Sequence, residues 1–188
     1  AEVIALVRSR EAASELGELK GANLQEGDVL DLQSLIEATK TVDVVVDVHG
    51  VKPPRFIKLG DLFRAPREND DTHPYNINYK GTKNILEAMK TNKNQKLIRL
   101  TGALVGANAF EPFVALFNFL LSFSNKWHQF SEKLIRENGV DYTVIRPSEI
   151  VDEPSAHEMT YPSLGKPVEA TYLIAVPGDT ERRKPIPV

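Results

Sequence analysis

Val42-Asp43-Val44-Val45-Val46-Asp47-Val48 decides the fold, because five of its seven residues are valine. A β-branched run with so little polar alternation predicts a central strand of a parallel sheet, covered on both faces. Upstream, Glu2-Val3-Ile4-Ala5-Leu6-Val7 reads as a second strand. A polar helical pattern then runs from Ser9 to about Lys20 and stops at Gly21, where a glycine suits a C-cap. A short strand near Asn23 to Glu26 and a helix from about Leu32 to Lys40 lead into the valine run. Downstream, a long helix is predicted from Tyr75 to Thr91, then a strand over Lys96 to Thr101, and an apolar helix from Phe110 to Phe123. A second helix from about Asn125 to Asn138 is stopped by Gly139. Tyr142 to Arg146 reads as a strand ended by Pro147, and Tyr172 to Val176 as a last one. Strands alternating with helices throughout predict one α/β domain, a doubly wound parallel sheet of the Rossmann kind, over residues 1–188.

Composition narrows the function. The 188 residues are 41% hydrophobic, enough for a single core. A net charge of −3 supplies no cationic field for a nucleic-acid backbone. The absence of cysteine excludes disulfides and thiolate chemistry and fits a reducing compartment, cytoplasm or plastid, without choosing one. His49, His73, His128 and His157 show no metal-ligand spacing. No membrane span is expected: the apolar stretch 110–123 is shorter than the roughly 20 residues a bilayer requires and is interrupted by Glu111, Pro112 and Asn118. Within it Phe113, Leu116, Phe117, Leu120 and Leu121 recur at helical spacing and are read as the buried stripe. Val114 and Phe119 lie off that stripe, so the helix is expected to be covered on every side, by a further C-terminal segment or by a protein partner.

Ligands of open α/β sheets bind beyond the carboxyl ends of the strands, so the residues just after each strand are the candidates. Arg8 and Ser9 follow the first strand; a guanidinium there suits a 2′-phosphate, and taken alone Arg8 reads rather as an exposed arginine at a helix N-terminus. Asp28 and Val29 follow the second; the aspartate is either an adenine acceptor or a turn residue. His49 and Gly50 close the valine strand. The glycine permits close backbone approach by a dinucleotide, and the histidine is read as a hydrogen-bonded core residue before a base. Thr101 ends the next strand. Pro147, Ser148, Glu149 and Ile150 follow the last and could hold a nicotinamide with backbone groups.

Ala5-Leu6-Val7-Arg8, Gly27-Asp28-Val29-Leu30-Asp31 and Asp141-Tyr142-Thr143-Val144-Ile145-Arg146-Pro147 together resemble the atypical short-chain dehydrogenase/reductases, the NmrA-like, NAD(P)H-binding group. His73-Pro74-Tyr75, Tyr79-Lys80-Gly81-Thr82-Lys83-Asn84 and Trp127 to Glu132 are similar to plant and algal members. The resemblance implies strand order 3-2-1-4-5-6 and an NADP or NAD cofactor. It places Arg8 at the 2′-phosphate, Asp28 and Val29 at the adenine, His49 and Gly50 at the ribose side, and Pro147 to Ile150 at the nicotinamide.

Three departures qualify it. The family's first strand and glycine-rich pyrophosphate loop are missing from these residues, and that strand belongs between the Glu2–Val7 and Val42–Val48 strands. Two central strands would lose a neighbour, so an upstream segment is expected, and Lys184 to Val188 likewise reads as the approach to a further segment. The family's tyrosine and lysine are also replaced: counted from Trp127 and Glu132, their positions hold Ser124 and His128. Histidine titrates near neutrality and lacks lysine's permanent charge. Finally, the loop from Val51 to Thr72 and the apolar helix are where such proteins build a pocket or a partner surface. Two functions follow: an NADPH-dependent reductase of a small apolar carbonyl or alkene with Thr101 and His128 as polar assistants, or a non-catalytic cofactor-sensing regulator or structural subunit of a larger assembly.

Overall fold

The computed structural model describes residues 2–15, 21–51, 70–93, 96–108, 110–120 and 124–147. Five strands are present among them: β1 (Ile4–Val7), β2 (Asn23–Glu26), β3 (Val44–Asp47), β4 (Lys96–Leu100) and β5 (Asp141–Ile145). They alternate with helices α1 (Arg10–Glu15), α2 (Leu32–Ala38), α3 (Thr82–Asn92), α4 (Pro112–Leu120) and α5 (Ser124–Asn138). Every strand pairing is parallel, which puts the carboxyl ends of paired strands on one edge. This is a Rossmann-type α/β arrangement. The predicted strand over 172–176 and the loop over 52–69 lie outside the described residues.

Local chemistry sets the boundaries. Asp31 caps α2 by accepting from the Gln33 amide at 3.0 Å. Gly139, just after α5, has a φ of +80°, the left-handed conformation that ends a helix without steric cost to glycine, and Gly21 before β2 has a φ of +91°. The expected single helix from Tyr75 is in fact two helices in series. Tyr75–Gly81 is π-helical, with one more residue per hydrogen-bonded ring than an α-helix, and runs directly into α3. The π-helical turn buries Asn76, Asn78 and Gly81, and no break in the sequence separates it from α3.

The sheet is split. β2 and β1 form one pair, and β3, β4 and β5 form a separate three-stranded sheet in that order. This is the expected order with its central first strand left out, and β1 and β3 are edges among the described residues. In register, Asp47 lies opposite Arg99, and Arg99 opposite Val144. Alternation therefore sends Val45, Asp47, Leu97 and Arg99 to one face. Leu35, Ile85, Leu86, Met89, Leu97 and Ile135 of α2, α3, β4 and α5 form the core there, with Val45 packed against it.

The opposite face is where the expectation for the valine strand fails. Val44 and Val46 are 42% and 49% exposed, so among the described residues β3 is covered on one face rather than two. Ile145, on that same open face, is exposed as well. The apolar helix is also turned differently from its predicted stripe. In α4 it is Val114 that is buried, whereas Phe113 and Leu116 are exposed. The predicted stripe is thus not the buried row where the structure describes it: α4 packs against α5, and helical spacing could not say which row is covered, since α4 is apolar on more than one side. Among the described residues no helix is long and apolar enough to cross a membrane.

Candidate functional site

The carboxyl ends of the two sheets converge on Gly81, the last π-helical residue. A Cβ there would lie 2.8 Å from His49 Nε2, at the end of β3, and 3.1 Å from Val29 Cγ2, beyond β2. Only hydrogen fits between them. Gly81→Ala is therefore expected to lower stability by about 1–3 kcal/mol through overpacking, measured by urea unfolding. Asn84, one turn on in α3, ties the same region together by donating to the Val29 carbonyl at 3.0 Å.

Around this point sits a buried ionic cluster. Asp47 and Arg99 face the same side of paired strands, and both are almost fully buried. Arg99 Nη1 donates to Asp47 Oδ1 at 2.6 Å and to the His49 carbonyl at 3.0 Å. The His49 ring lies against both partners: its Nδ1 contacts Asp47 Oδ1 and is 2.9 Å from Arg99 Nη1. Its Nε2 is 2.9 Å from the Ile77 carbonyl, an acceptor that requires the proton on Nε2. From the other side, Arg99 Nη2 lies 3.4 Å from His128 Nδ1 of α5. Burial opposes the charge of Asp47, but the Arg99 guanidinium and the contacts of His49 outweigh it and hold the carboxyl at about 2. For His128 burial and the Arg99 charge act in the same direction, with His49 adding to them, and push the imidazole down to about 3. His128 is therefore neutral throughout the physiological range.

A second polar node lies one turn along α5. Glu132 is fully buried and accepts from Thr101 Oγ1 at 3.0 Å, from Arg146 Nε at 3.0 Å and from Arg136 Nη2 at 2.8 Å. Burial raises its affinity for a proton, and these donors more than reverse that, so its pKa is lowered. Ser124, His128 and Glu132 thus form an i, i+4, i+8 row on α5. Each meets a different element: Asn78 donates to Ser124 Oγ at 2.8 Å, Arg99 meets His128, and Thr101 meets Glu132. Next to this row Tyr75, Tyr79, Trp127 and Phe130 pack ring on ring, with Tyr75 and Trp127 centroids 4.8 Å apart.

The sequence candidates fall into place as follows. Arg8 is exposed, and no described residue pairs with its guanidinium. Ser9 begins the turn into α1, its carbonyl accepting from the Ala13 amide. Asp28 makes a local turn, its Oδ1 accepting from the Leu30 amide at 2.9 Å, and Val29 packs against the core. Gly50 has open space where a side chain would be, and a Cβ at Gly102 would meet only Asn125 Oδ1 at 3.9 Å. Those two strand ends are accessible to a flat ligand; Gly27 and Gly81, by contrast, are glycines for packing. Thr101 and Pro147 are brought together by backbone bonds, Thr101 N to the Ile145 carbonyl and Ala103 N to the Pro147 carbonyl. Ser148, Glu149 and Ile150 lie outside the described residues.

Sequence reasoning missed Asp47, Arg99, Asn78 and Arg146. The signal for the first two was an acid and a base inside otherwise apolar strands, but their pairing depends on register. Two buried polar atoms in this region, Asp47 Oδ2 and Arg99 Nε, have no hydrogen-bond partner among the described residues. Both atoms are enclosed, whereas Gly50 and the exposed Arg8, with which no described residue pairs, leave the ends of β3 and β1 open. No group of three or more His, Asp or Glu among the described residues could hold a metal ion.

Comparison with known proteins agrees with this geometry. Over 93 residues, half of this chain, the sequence is 29% identical to the chloroplastic protein TIC 62 of Arabidopsis thaliana, and the match covers 14% of that protein. A Bacillus halodurans protein assigned as an NAD-dependent epimerase/dehydratase superposes with a TM-score of 0.60 at 17% identity, over 82% of this chain and 62% of that one. ChuY, described as an anaerobillin reductase from Escherichia coli O157:H7, gives 0.52 at 16% identity, over 78% and 60%. The chain thus spans less than two thirds of each of these proteins, and at such identities the two structures share its fold. A family model described as NAD(P)H-binding matches residues 1–172, and on that match the chain belongs to the NAD(P)H-binding family.

Proposed function

We propose that this chain forms the dinucleotide-binding part of an NADPH-dependent reductase acting on a small apolar carbonyl or alkene. The observation that carries the reading is His128, held with its Nδ1 3.4 Å from Arg99 of β4, together with the accessible ends of β3 and β4. A bound nicotinamide supplies the hydride. Arg8 takes the 2′-phosphate, Asp28 and Val29 the adenine end, and His49 with Gly50 the ribose side, leaving Pro147 to Ile150 for the nicotinamide carboxamide. His128, with its Nδ1 turned to Arg99, has Nε2–H on the far side of the ring. That hydrogen can stabilise the oxygen that gains charge as a carbonyl is reduced. A neutral imidazole does not give its proton up, so the proton comes from solvent. The Thr101 hydroxyl donates to Glu132, which leaves its oxygen lone pairs to accept from ligand.

Arg8 is the direct test of the cofactor. Charge-assisted hydrogen bonds are worth roughly 1.5–3 kcal/mol, so Arg8→Ala should weaken NADPH binding on the order of 10-fold or more and leave NADH nearly unchanged. Calorimetric titration of the full-length protein with both dinucleotides measures this. Equal loss for both, or no binding of either by the native protein, removes the proposal. The reading of a non-catalytic sensor or subunit is favoured by Ser124 standing where a tyrosine acid is expected. It predicts NADPH binding without oxidation of NADPH by any of a panel of carbonyl and alkene substrates. For the apolar helix, the exposed Phe113 and Leu116 fit a protein partner in that case.

A further inference from the structure

We infer that Arg99 is a positioning residue, which holds His128 as the neutral Nε2–H tautomer and so gives the site an uncharged hydrogen-bond donor where a lysine ammonium would otherwise stand. The use of that donor on ribose or substrate rests on the proposed function; the tautomer itself does not.

A guanidinium carries five N–H donors and no acceptor. Its 3.4 Å approach to His128 Nδ1 is a bond only if Nδ1 presents a lone pair. Nδ1 is therefore bare, and the ring's one proton sits on Nε2. A second proton would face a permanent positive charge at hydrogen-bond distance. Arg99 cannot swing away, because it is fully buried and Asp47 Oδ1 and the His49 carbonyl fix its Nη1. Asp47 thus acts through Arg99, anchoring a cation that in turn orients an imidazole.

The groups facing His128 do not offset this. From β4 comes Arg99, and from the end of β3 come Asp47 and His49. Of these Asp47 alone favours an imidazolium, and its charge is already engaged by Arg99 and His49. On α5 itself Glu132 lies one turn on, with Arg146, Arg136 and Thr101 bonded to it. The depressed pKa of His128 accords with this arrangement. Lysine in the same place would set two cations side by side, so the replacement by histidine and the arginine in β4 belong together.

The tautomer is readable without cofactor or substrate. In nitrogen-15 NMR spectra of the full chain, His128 should show the neutral Nε2–H pattern from pH 8 to 5, with no titration. The Arg99→Met and Arg99→Lys variants, the second of which keeps a cation for Asp47 but no second nitrogen to reach α5, should each show mixed tautomers. A titration of His128 between pH 5 and 8 should also emerge in the methionine variant. An Nδ1–H ring, or an ordinary titration near pH 6.5 in the native chain, overturns the inference, and this measurement decides it even if neither variant folds. Folded variants that keep a pure, non-titrating Nε2–H ring overturn it too. Failure of NADPH to bind would remove the proposed function while leaving these spectra unchanged.

Discussion

Replacing Asp47 with leucine is expected to destabilise the chain by about 3–5 kcal/mol, a large share of a typical domain's roughly 5–15 kcal/mol. The reason is not the lost ion pair but the partner left behind. Arg99 has no exposed surface, so its guanidinium would stay buried without a counter-charge. Removing both charges at once, as in Asp47→Leu with Arg99→Met, should restore most of the loss, because a buried pair and a well-packed apolar pair of similar volume are close in free energy. Urea unfolding of the native chain, the two single variants and the double variant closes the cycle. Additive single effects would show that Asp47 and Arg99 act independently. The pair also contributes an acid-sensitive term. Its carboxyl is held at about 2 against an unfolded value of 3.8, so this stabilisation is fully present above pH 4 and is lost as the pH falls towards 2.

His128 gives the second large effect, at a milder pH. In the unfolded chain its imidazole takes a proton below the ordinary 6.5, whereas the folded chain refuses that proton until about pH 3. Over this window the unfolded state binds up to one more proton, and stability falls by up to about 1.4 kcal/mol per pH unit. Chemical unfolding at pH 7, 6, 5 and 4 should therefore show a steady decline that begins well above the range in which Asp47 titrates. His128→Gln, which can keep an N–H donor but cannot titrate, should flatten the profile between pH 6 and 4. A variant profile as steep as the native one would assign the effect to other groups.

These expectations could not have been written from the sequence, although much of the fold could. The valine run and its neighbours marked all five described strands, and Gly139 marked a helix end that the structure realises with positive φ. The places to look, beyond the strand ends, were legible for the same reason: parallel topology puts them on one edge. What was not legible depends on partners distant in sequence. Arg99 reads as an outward-facing residue of a short strand until β4 is known to lie beside β3 in a register that opposes it to Asp47. The burial of Val114 rather than Phe113 in α4 is a rotation about a helix axis, and an amphipathic pattern that is nearly all apolar carries no such information. The π-helical turn likewise has no compositional signature here, yet it puts the Ile77 carbonyl where His49 Nε2 meets it.

The division of the sheet has a practical consequence for anyone preparing this polypeptide by itself. Among the described residues β1 and β3 each end a parallel ladder with no strand paired to the other side, and β3 adds valines open to water. Such a surface is a template for intermolecular strand addition, as in early steps of fibril growth. Yields from a bacterial host should accordingly fall steeply with concentration, and a charged substitution such as Val46→Lys should improve recovery of the dispersed form.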